Sequence, residues 1–446
     1  MKTHRPMARG RILNVLVATA LAVAASGACS STTARRASQS FTYWSMWRED
    51  EPQATVLKAA IASFQKDTGI AVTVKWQGRR VISETADVIT AGGEVPDLVD
   101  QGTDVIASGL IAPGWASDLT NVYQLPVPGE SDTVQQVIPD KFMPMLSDRH
   151  DVPYIVPYEV AGEAIFFDKA EHPEIAADKP QTWEEFVALL KKLKSQTGRG
   201  PIALDSVEPG NDTYWLDWPL ERVLGPGHVL RSAKDRTGED WDDFRVLDTA
   251  KKVESLVKAG YFAPGYNTEP DTTHNTDQEK LWAKGGAALI LGGSWTPSEA
   301  AAFGANLANV DSFQFPMMTK DGDTSASVLF FGFAMPRQAV HTDAAGKFVA
   351  YFLNKDRLAH ISSDAANMTP RPDIPAPAPL AAEQMALINR TVFTDEDGLG
   401  SNEAEWSKTV FGPACAKLIK GQESAEEWVS EVKTGTIAFW AGQPSS

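Results

Sequence analysis

The apolar positions just after residue 40 predict a strand, a helix and a second strand. The segments 41–47 (FTYWSMW) and 70–76 (IAVTVKW) alternate apolar and polar side chains, as β-strands do. Between them, apolar residues recur at helical spacing, with Leu57, Ala60 and Phe64 on one face. A strand, a helix and a strand within about 35 residues predict a βαβ unit and hence a parallel sheet.

The rest of the chain continues the alternation of strands and helices. A helix is predicted over 180–198, where Thr182 and Glu185 form a capping box and Gly198 marks the end. Apolar runs over 286–295 and 328–336 predict buried strands, and the pattern over 344–354 predicts another helix. This alternation indicates the α/β fold class.

The N-terminus has the pattern of an export signal. Basic residues precede an apolar run of about 14 residues, short of the ~20 that span a bilayer. Small residues follow, and Cys29 comes directly after them. We expect a signal peptide over 1–28, lipid attached to Cys29, and a flexible polar tether over 29–40. Gly27 and Ala28 fit a lipoprotein signal, whereas Ser26 stands where an apolar residue is usual.

Composition narrows the range of partners. The chain has 41 basic and 58 acidic residues, a formal charge of −17 that becomes −21 without residues 1–28. Such a chain is a poor candidate for nucleic acid, which requires basic patches. The only other cysteine, Cys415, lies in an apolar stretch and is predicted to be buried. The mature chain, at about 400 residues, exceeds one hydrophobic core, so two lobes are expected.

The sequence offers little chemistry for catalysis or metal binding. Its seven histidines show no metal-ligand spacing, and the HExxH, GxSxG and Walker motifs are missing. We therefore predict no metal, no cofactor and no catalytic residues. The stretch 395–398 (DEDG) resembles half of a calcium loop, but Phe393 and Ala404 occupy ligand positions. We expect it to be a solvated acidic loop.

Aromatic side chains in polar surroundings are the strongest functional signal. The sequence has 13 tryptophans, and several lie at predicted strand ends or in polar loops: Trp44, Trp47, Trp215, Trp218, Trp295 and Trp406. An indole face covers the apolar face of a pyranose, while carboxylates and amides bond its hydroxyls. Ligands of open α/β sheets also lie at strand ends. The pattern therefore indicates a sugar-binding site.

The order of these motifs resembles extracellular solute-binding protein family 1, the substrate-capturing subunits of ABC importers for carbohydrates. The resemblance covers about residues 41–440 through a series of segments: FTYWSMW, FQKDTGIAVTVKWQG, GGEVPDLVD, YIVPYEVAGEAIFFDKA, PQTWEEFVALLKKLKSQTGRGPIAL, LWAKGGAALILGGSW, FFGFAMPRQAV, AAGKFVAYFLN and a Pro-Arg-Pro near the end. Their shared order carries the resemblance.

The resemblance implies a two-lobed, type II periplasmic-binding-protein-like fold with the ligand in a cleft between lobes joined by hinge segments. The N-terminal lobe would comprise 41–160 and 316–354, and the C-terminal lobe 161–315 and 355–446. By similarity to maltose-type members, the chain would cross between lobes near 160–162, 315–317 and 354–357. Ligand would close the lobes by a hinge motion.

The resemblance also implies ligand contacts, residue by residue. Trp295 matches a Gly-x-Trp sugar platform, and the DWPL motif at 217–220 places Glu208, Tyr214 and Trp215 in the cleft. The other implied contacts are Trp44, Trp47 and Glu49 after the first strand, Gln101 as an amide contact, Tyr158 and Glu159 at the first crossing, Trp406 as a late aromatic platform, and Arg371 in the Pro-Arg-Pro segment.

The resulting functional hypothesis is a lipid-anchored, extracytoplasmic receptor of an ABC importer, monomeric and without catalysis. It would capture a mono- or oligosaccharide and deliver it to the permease subunits. Two alternatives remain open at this point. One is an exported, lipid-anchored carbohydrate-active enzyme, and the other is a binding protein of the same fold for a non-sugar solute.

Overall fold

The computed structural model describes residues 40–148, 150–204, 211–266 and 277–443, all within one compact unit, Ser38–Ser446. In these ranges the strands are β1 (Ser40–Ser45), β2 (Ala71–Trp76), β3 (Leu98–Gly102), β4 (Val156–Asp168), β5 (Ile202–Ala203), β6 (Leu289–Gly293), β7 (Val310–Phe313), β8 (Ala326–Ala334) and β9 (Val392–Thr394).

The α-helices within the same ranges vary from single turns to 17 residues. They are α1 (Pro52–Thr68), α2 (Val81–Thr90), α3 (Thr103–Ile106), α4 (Thr120–Tyr123), α5 (Val134–Val137), α6 (Met143–Leu146), α7 (Pro173–Ala177), α8 (Trp183–Thr197), α9 (Tyr214–Leu224), α10 (His228–Lys234), α11 (Phe244–Lys258), α12 (Asp277–Ala283), α13 (Thr296–Ala301), α14 (Thr342–Phe352), α15 (Lys355–Ser363), α16 (Ala381–Asn389), α17 (Leu399–Asn402), α18 (Ala404–Trp406), α19 (Gly412–Ile419) and α20 (Ala425–Ala441).

The strands form one mixed sheet in the order β2-β1-β3-β8-β4-β6-β5, with β7 paired to β4 and β9 to β8. The predicted βαβ unit is present as β1, α1 and β2, and β1 pairs with β2 in parallel. β3 lies parallel on the other side of β1 and is followed by the antiparallel pairs β3–β8 and β8–β4. The α/β prediction is confirmed.

Local sequence signals account for the boundaries of α8. The Thr182 side chain accepts from the Glu185 amide at 3.3 Å, and the Glu185 carboxylate accepts from the Thr182 amide at 3.1 Å. Gly198 ends the helix at φ 72°, a left-handed conformation that glycine adopts without steric cost. The capping box predicted from the sequence is therefore confirmed.

The long strand β4 connects the two parts of the sheet. Its first half pairs with β8, and its second half pairs with β6 and β7. Successive side chains on a strand point to opposite faces. Ala164 and Phe166 accordingly belong to one hydrophobic cluster, and Ile165 and Phe167 belong to the other. β4 is thus the element at which the two cores meet.

Several sequence expectations concern the ends and connections of the chain. Cys415 is fully buried, as predicted. Within the described ranges, no helix is both long and apolar enough to cross a membrane. The predicted signal peptide, Cys29 and the tether up to residue 39 lie outside the described residues. The lobe boundaries remain a prediction. The stretch around Leu358, Met368 and Leu380, assigned to the C-terminal lobe, packs in the same cluster as β1.

Candidate functional site

A chain of buried hydrogen bonds holds Trp47 at the end of β1. The indole Nε1 of Trp47 donates to the Tyr158 hydroxyl at 2.7 Å, and that hydroxyl donates to Oδ2 of Asp100 at 2.6 Å. Asp100 also accepts from the Tyr43 hydroxyl and from the Met46 amide, each at 2.8 Å. Because Tyr43, Asp100 and Tyr158 lie on strands β1, β3 and β4 of one sheet, the sheet itself orients Trp47.

Asp100 is fully buried, and its neighbours favour the ionised form. Burial raises the pKa of Asp100 to about 6, although hydrogen bonds from Tyr158, the Met46 amide and Tyr43 oppose the rise. At neutral pH the carboxyl is therefore mostly ionised and can accept from all of these donors. Its charge in turn raises the pKa of both tyrosines, after burial as the larger cause.

Arg79 covers one face of Trp47. Its guanidinium carbon lies 4.6 Å from the centre of the indole, within cation–π range. The guanidinium also bonds Glu51 at 2.9 Å and the Met46 carbonyl at 2.9 Å, while the Gln101 amide donates to the Arg79 carbonyl at 2.9 Å. Trp47 and Gln101 thus lie together, but Arg79 covers one face of the indole, and Trp47 is only 4 % exposed.

Two further carboxyls share the surroundings of Arg79. Glu159 in β4 is 2 % exposed, and burial raises its pKa to about 8 while the charge of Arg79 lowers it. Its Oε1 lies 3.5 Å from the Gln53 amide. Burial raises the pKa of Glu299 in α13 to about 7, again opposed by Arg79. This part of the molecule therefore brings together polar groups from α1, β4 and α13.

Trp295 follows β6 and is half-buried. Its ring folds over Gly293, because a Cβ added at Gly293 would lie 2.3–2.5 Å from three of the ring carbons. Gly293 is the direct antiparallel partner of Glu163 in β4. Side chains of directly opposed residues lie on the same face, with Cβ atoms about 5 Å apart. The Trp295 ring therefore takes the place of a side chain at Gly293 and lies beside Glu163.

Serine hydrogen bonds fix the connection next to this ring. The Ser294 hydroxyl donates to the Gly162 carbonyl at 2.9 Å and accepts from the Gly162 amide at 2.8 Å. The end of β6 is thereby tied to the middle of β4. Trp295 and Glu163 consequently have a rigid backbone beneath them.

Four carboxyl groups surround Tyr214, the first residue of α9. They are Asp104 in α3, Glu163 in β4, and Asp395 and Glu396 in the turn after β9, and we call them the carboxylate cluster. Burial and the charges of this cluster raise the pKa of Tyr214 well above its ordinary value. Burial is also the largest cause of the raised pKa of each carboxyl. The four carboxyls therefore lie close enough for their charges to act on Tyr214 together.

The expectation of a solvated acidic loop at 395–398 is wrong. Asp397 is 6 % exposed and accepts hydrogen bonds from the amides of Gly227 and, at 3.0 Å, Leu230. Ser327 donates to Asp395 and Thr213 to Glu396, each at 3.3 Å. Glu396 and Asp397 have φ values of 49° and 51°, which cost energy in residues other than glycine. Tertiary hydrogen bonds hold this strained turn inside the protein.

The remaining predicted contacts are spread over other surroundings. Trp44 is 9 % exposed with Lys75 over its ring at 4.8 Å, and Glu49 is exposed and pairs with Lys58 at 3.1 Å. Trp215 packs against Phe186, Phe262 and Phe315. Trp406 stacks on Trp241 at 5.9 Å and donates to Thr436. Arg371 pairs with Glu130 and Asp373. Glu208 lies outside the described residues.

The structure thus brings the predicted contacts Trp295 and Tyr214 together through Glu163, and brings Trp47, Gln101, Tyr158 and Glu159 together around Arg79. Sequence reasoning missed Arg79, Glu299 and the whole carboxylate cluster. Glu163 could have been identified as a site residue from its position in the strand that pairs with β6, the strand before Trp295. Asp395 and Glu396 carried a signal as well, because an acidic run directly after a β-branched strand pattern can enter a site.

A model of the family described as bacterial extracellular solute-binding protein matches residues 49–357. A curated relative, an uncharacterized ABC transporter extracellular-binding protein from Pyrococcus horikoshii, is 31% identical over 170 residues. That alignment covers 35% of this chain and only 37% of the relative.

Solved structures share the fold over almost their whole length. SBP RafE in complex with raffinose has a TM-score of 0.70 at 16% identity, covering 90% of this chain and 99% of that one. The bacterial solute receptor AcbH, which has an exclusive substrate preference for β-D-galactopyranose, gives a TM-score of 0.69 at 18% identity, with 90% of this chain and 97% of that one covered. A protein from a study of xylan utilization by Caldanaerobius polysaccharolyticus gives 0.68 at 17%, with 89% and 99% covered.

These likenesses confirm the predicted two-lobed fold, since the neighbours are two-lobed solute-binding proteins. The matched family is one of extracellular binding proteins, which confirms the prediction that the chain is not an enzyme. With about two thirds of its length matched by the family model, the chain belongs to the bacterial extracellular solute-binding protein family.

Proposed function

We propose that this chain is the extracytoplasmic receptor of an ABC importer, and that it captures a sugar or oligosaccharide between its lobes and delivers it to the membrane permease. Family membership supports the class of protein. The relative named as an ABC transporter extracellular-binding protein supports the transporter partnership. The raffinose and galactopyranose receptors among the structural neighbours support a carbohydrate as the solute.

The observation that carries the sugar proposal is the pairing of Trp295 with Glu163. A half-buried indole offers an apolar face to the C–H face of a pyranose ring. A carboxyl directly beside that face can accept from the sugar hydroxyls. Tyr214 adds a hydroxyl that can donate or accept. An aromatic platform rimmed by such groups is suited to a sugar.

Binding is proposed to favour a closed arrangement of the lobes. A ligand shifts a two-state equilibrium only through its different affinities for the two states. Groups on α3, β4, α9 and the turn after β9 converge on the carboxylate cluster. A solute that touches all of them stabilises the arrangement in which they are close. The permease would then recognise this closed form.

Membrane attachment is proposed to occur through lipid on Cys29, after removal of residues 1–28. The apolar run and the small residues before Cys29 support this. The protein would then act as a tethered monomer at the outer face of the cell membrane. Metabolic labelling with a tagged fatty acid tests the anchor. Wild type should carry label and stay with membranes, and Cys29→Ser should lose both. Equal labelling of the two proteins would contradict the proposal.

A thermal-shift screen against mono- and oligosaccharides tests the sugar proposal. A ligand that binds only the native state raises stability by about 2.7 kcal/mol at a hundredfold excess over Kd. We expect one glycan class to raise the melting temperature and to be recovered unchanged. No shift with any sugar, together with a shift caused by an amino acid, a peptide or a metal chelate, would contradict the proposal.

A further inference from the structure

The carboxylate cluster draws its members from separate parts of the fold. Asp104 comes from α3, Glu163 from β4, and Asp395 and Glu396 from the turn after β9. α3 lies close to the helix α17 that follows this turn, because a Cβ added at Gly400 would lie 3.2 Å from the Cβ of Asp104. The four carboxyls act on one another and on the Tyr214 hydroxyl. They therefore lie within electrostatic range of one another and of Tyr214.

Glu163 is the member whose hydrogen-bonding capacity the protein satisfies least. It is 4 % exposed, and neither carboxylate oxygen accepts a well-formed hydrogen bond within the described residues. Burial first, and then the charge of Asp395 and a hydrogen bond to it, raise the pKa of Glu163, so the two carboxyls share a proton. Buried polar groups are almost always paired with protein, water or ligand. One shared proton leaves the other lone pairs of this buried carboxyl pair without a donor, and beside an aromatic platform this indicates a donor group that arrives with the solute.

The basic side chain that interacts electrostatically with Glu163 is Arg222, and it already has other hydrogen-bond partners. Arg222 feels the charge of Glu163, but its guanidinium donates to the carbonyls of Phe315 and Ser325. It also forms an ion pair with Asp323 at 3.5 Å. Asp395 and Glu396 have only hydroxyl, amide and carboxyl groups among their strongest neighbours. The cluster therefore lacks a dedicated protein cation.

A cationic group on the solute would resolve this imbalance. Carboxyls that repel one another in a poorly solvated site are stabilised most by an opposite charge within a few ångströms. A neutral hydroxyl supplies hydrogen bonds but no charge. The Trp295 face beside Glu163 also attracts cations. An ammonium group bound here would therefore contact both carboxylates and an aromatic face.

We propose that the solute is an amino sugar, whose ring lies on Trp295 and whose ammonium group is bound by Glu163 and Asp395. This inference rests on the proposed function of a sugar receptor and narrows its substrate class. The ammonium donates its three hydrogens to carboxylate oxygens of the cluster, and the Tyr214 hydroxyl completes its surroundings. A neutral sugar of the same ring would make the platform contact without the charge contact.

Calorimetric titration of the full-length protein in detergent with matched pairs of sugars tests this inference. The pairs are glucose with glucosamine, galactose with galactosamine, and the N-acetylated disaccharide of glucosamine with its deacetylated form. Titrations run at about pH 6.5, where an amine with a pKa of about 8 is protonated. We expect the amine of one pair to bind at least about tenfold more tightly than its neutral partner.

Substitutions assign the preference to the cluster. Glu163→Gln should bring the amine to within about threefold of its neutral partner, and Asp395→Asn should do the same if Glu163→Gln fails to fold. Asp248→Asn is the matched control, because it removes one charge at an exposed position paired with Lys252. It should leave the preference unchanged.

The outcomes distinguish a failure of the amino-sugar inference from a failure of the proposed sugar-receptor function. Neutral sugars that bind as tightly as their amines, or a preference that survives both substitutions, would overturn the amino-sugar inference and leave the sugar receptor standing. Binding of none of these sugars would overturn the amino-sugar inference, and it would also overturn the sugar receptor if the thermal-shift screen finds no sugar either. Binding of spermidine alone would also overturn both, because it would show a cation site without a sugar.

Discussion

Gly293→Ala is expected to weaken sugar binding by displacing the Trp295 ring without removing it. The added Cβ would lie 2.3 Å from two ring carbons and 2.5 Å from a third. Ordinary contacts at a Cβ begin near 3.4 Å, so the ring must move by about 1.1 Å or more. Because this ring lies beside Glu163, such a shift separates the aromatic platform from the carboxyl.

The magnitude follows from what the platform supplies. A tryptophan at the centre of a binding site typically contributes about 2 kcal/mol or more to affinity. That free energy corresponds to about a 30-fold rise in Kd. We therefore expect Gly293→Ala and Trp295→Ala to weaken binding by similar factors, measured calorimetrically with the sugar that gives the largest thermal shift.

A double-mutant cycle makes this prediction specific. If the ring carries the effect, Gly293→Ala should cost almost nothing in a Trp295→Ala background. Gly162→Ala is the matched control, because its Cβ would meet neighbours only at 3.7–3.8 Å, an ordinary contact distance. It should leave Kd within about threefold. Additive losses in the double variant, or wild-type affinity for Gly293→Ala, would refute the reasoning.

Three further predictions concern stability and the other aromatic residues. Tyr158→Phe leaves the buried Trp47 indole N–H unpaired and removes one of the hydrogen bonds that Asp100 accepts, so it should cost about 1–3 kcal/mol in urea unfolding, more than Tyr154→Phe at a partly buried tyrosine; equal costs would contradict the network. Because burial raises the pKa of Glu159 to about 8, its stabilising contribution is present at low pH and lost as pH rises. The ligand-free melting temperature should therefore fall from about pH 5 to 8, less steeply in Glu159→Gln, and a flat profile would count against it. Trp406→Phe should lower stability by about 1–3 kcal/mol and leave sugar affinity within threefold, since core rings cover its faces; a selective loss of affinity would restore it as a ligand contact.

The local sequence pattern was sufficient to predict elements that are determined by residues close together in the chain. The β1–α1–β2 unit follows from periodicity, and the start of α8 follows from the reciprocal Thr182–Glu185 bonds. Trp295 could be found because it lies two positions after a buried strand that ends in glycine. These features depend on neighbours within a few positions, which a sequence displays directly.

Burial of polar stretches could not be predicted in the same way. The acidic turn at 395–398 enters the protein because the amides of Gly227 and Leu230, about 170 positions away in sequence, bond Asp397. Trp406 lies in a polar local stretch, yet its ring packs on Trp241 and Phe411. In both cases residues distant in sequence bury the side chains, whereas the polar residues next to them in sequence indicate exposure to solvent.

The fold places β4 between the two cores and brings Glu163 beside Trp295 there. A crystal structure of the protein with the sugar that gives the largest thermal shift tests whether this is the ligand site. We predict that a sugar ring lies against the Trp295 indole, with carbon–carbon contacts of about 4 Å and a sugar polar group bonded to Glu163. A sugar bound away from Trp295, with no sugar group bonded to Glu163, would contradict the proposed site.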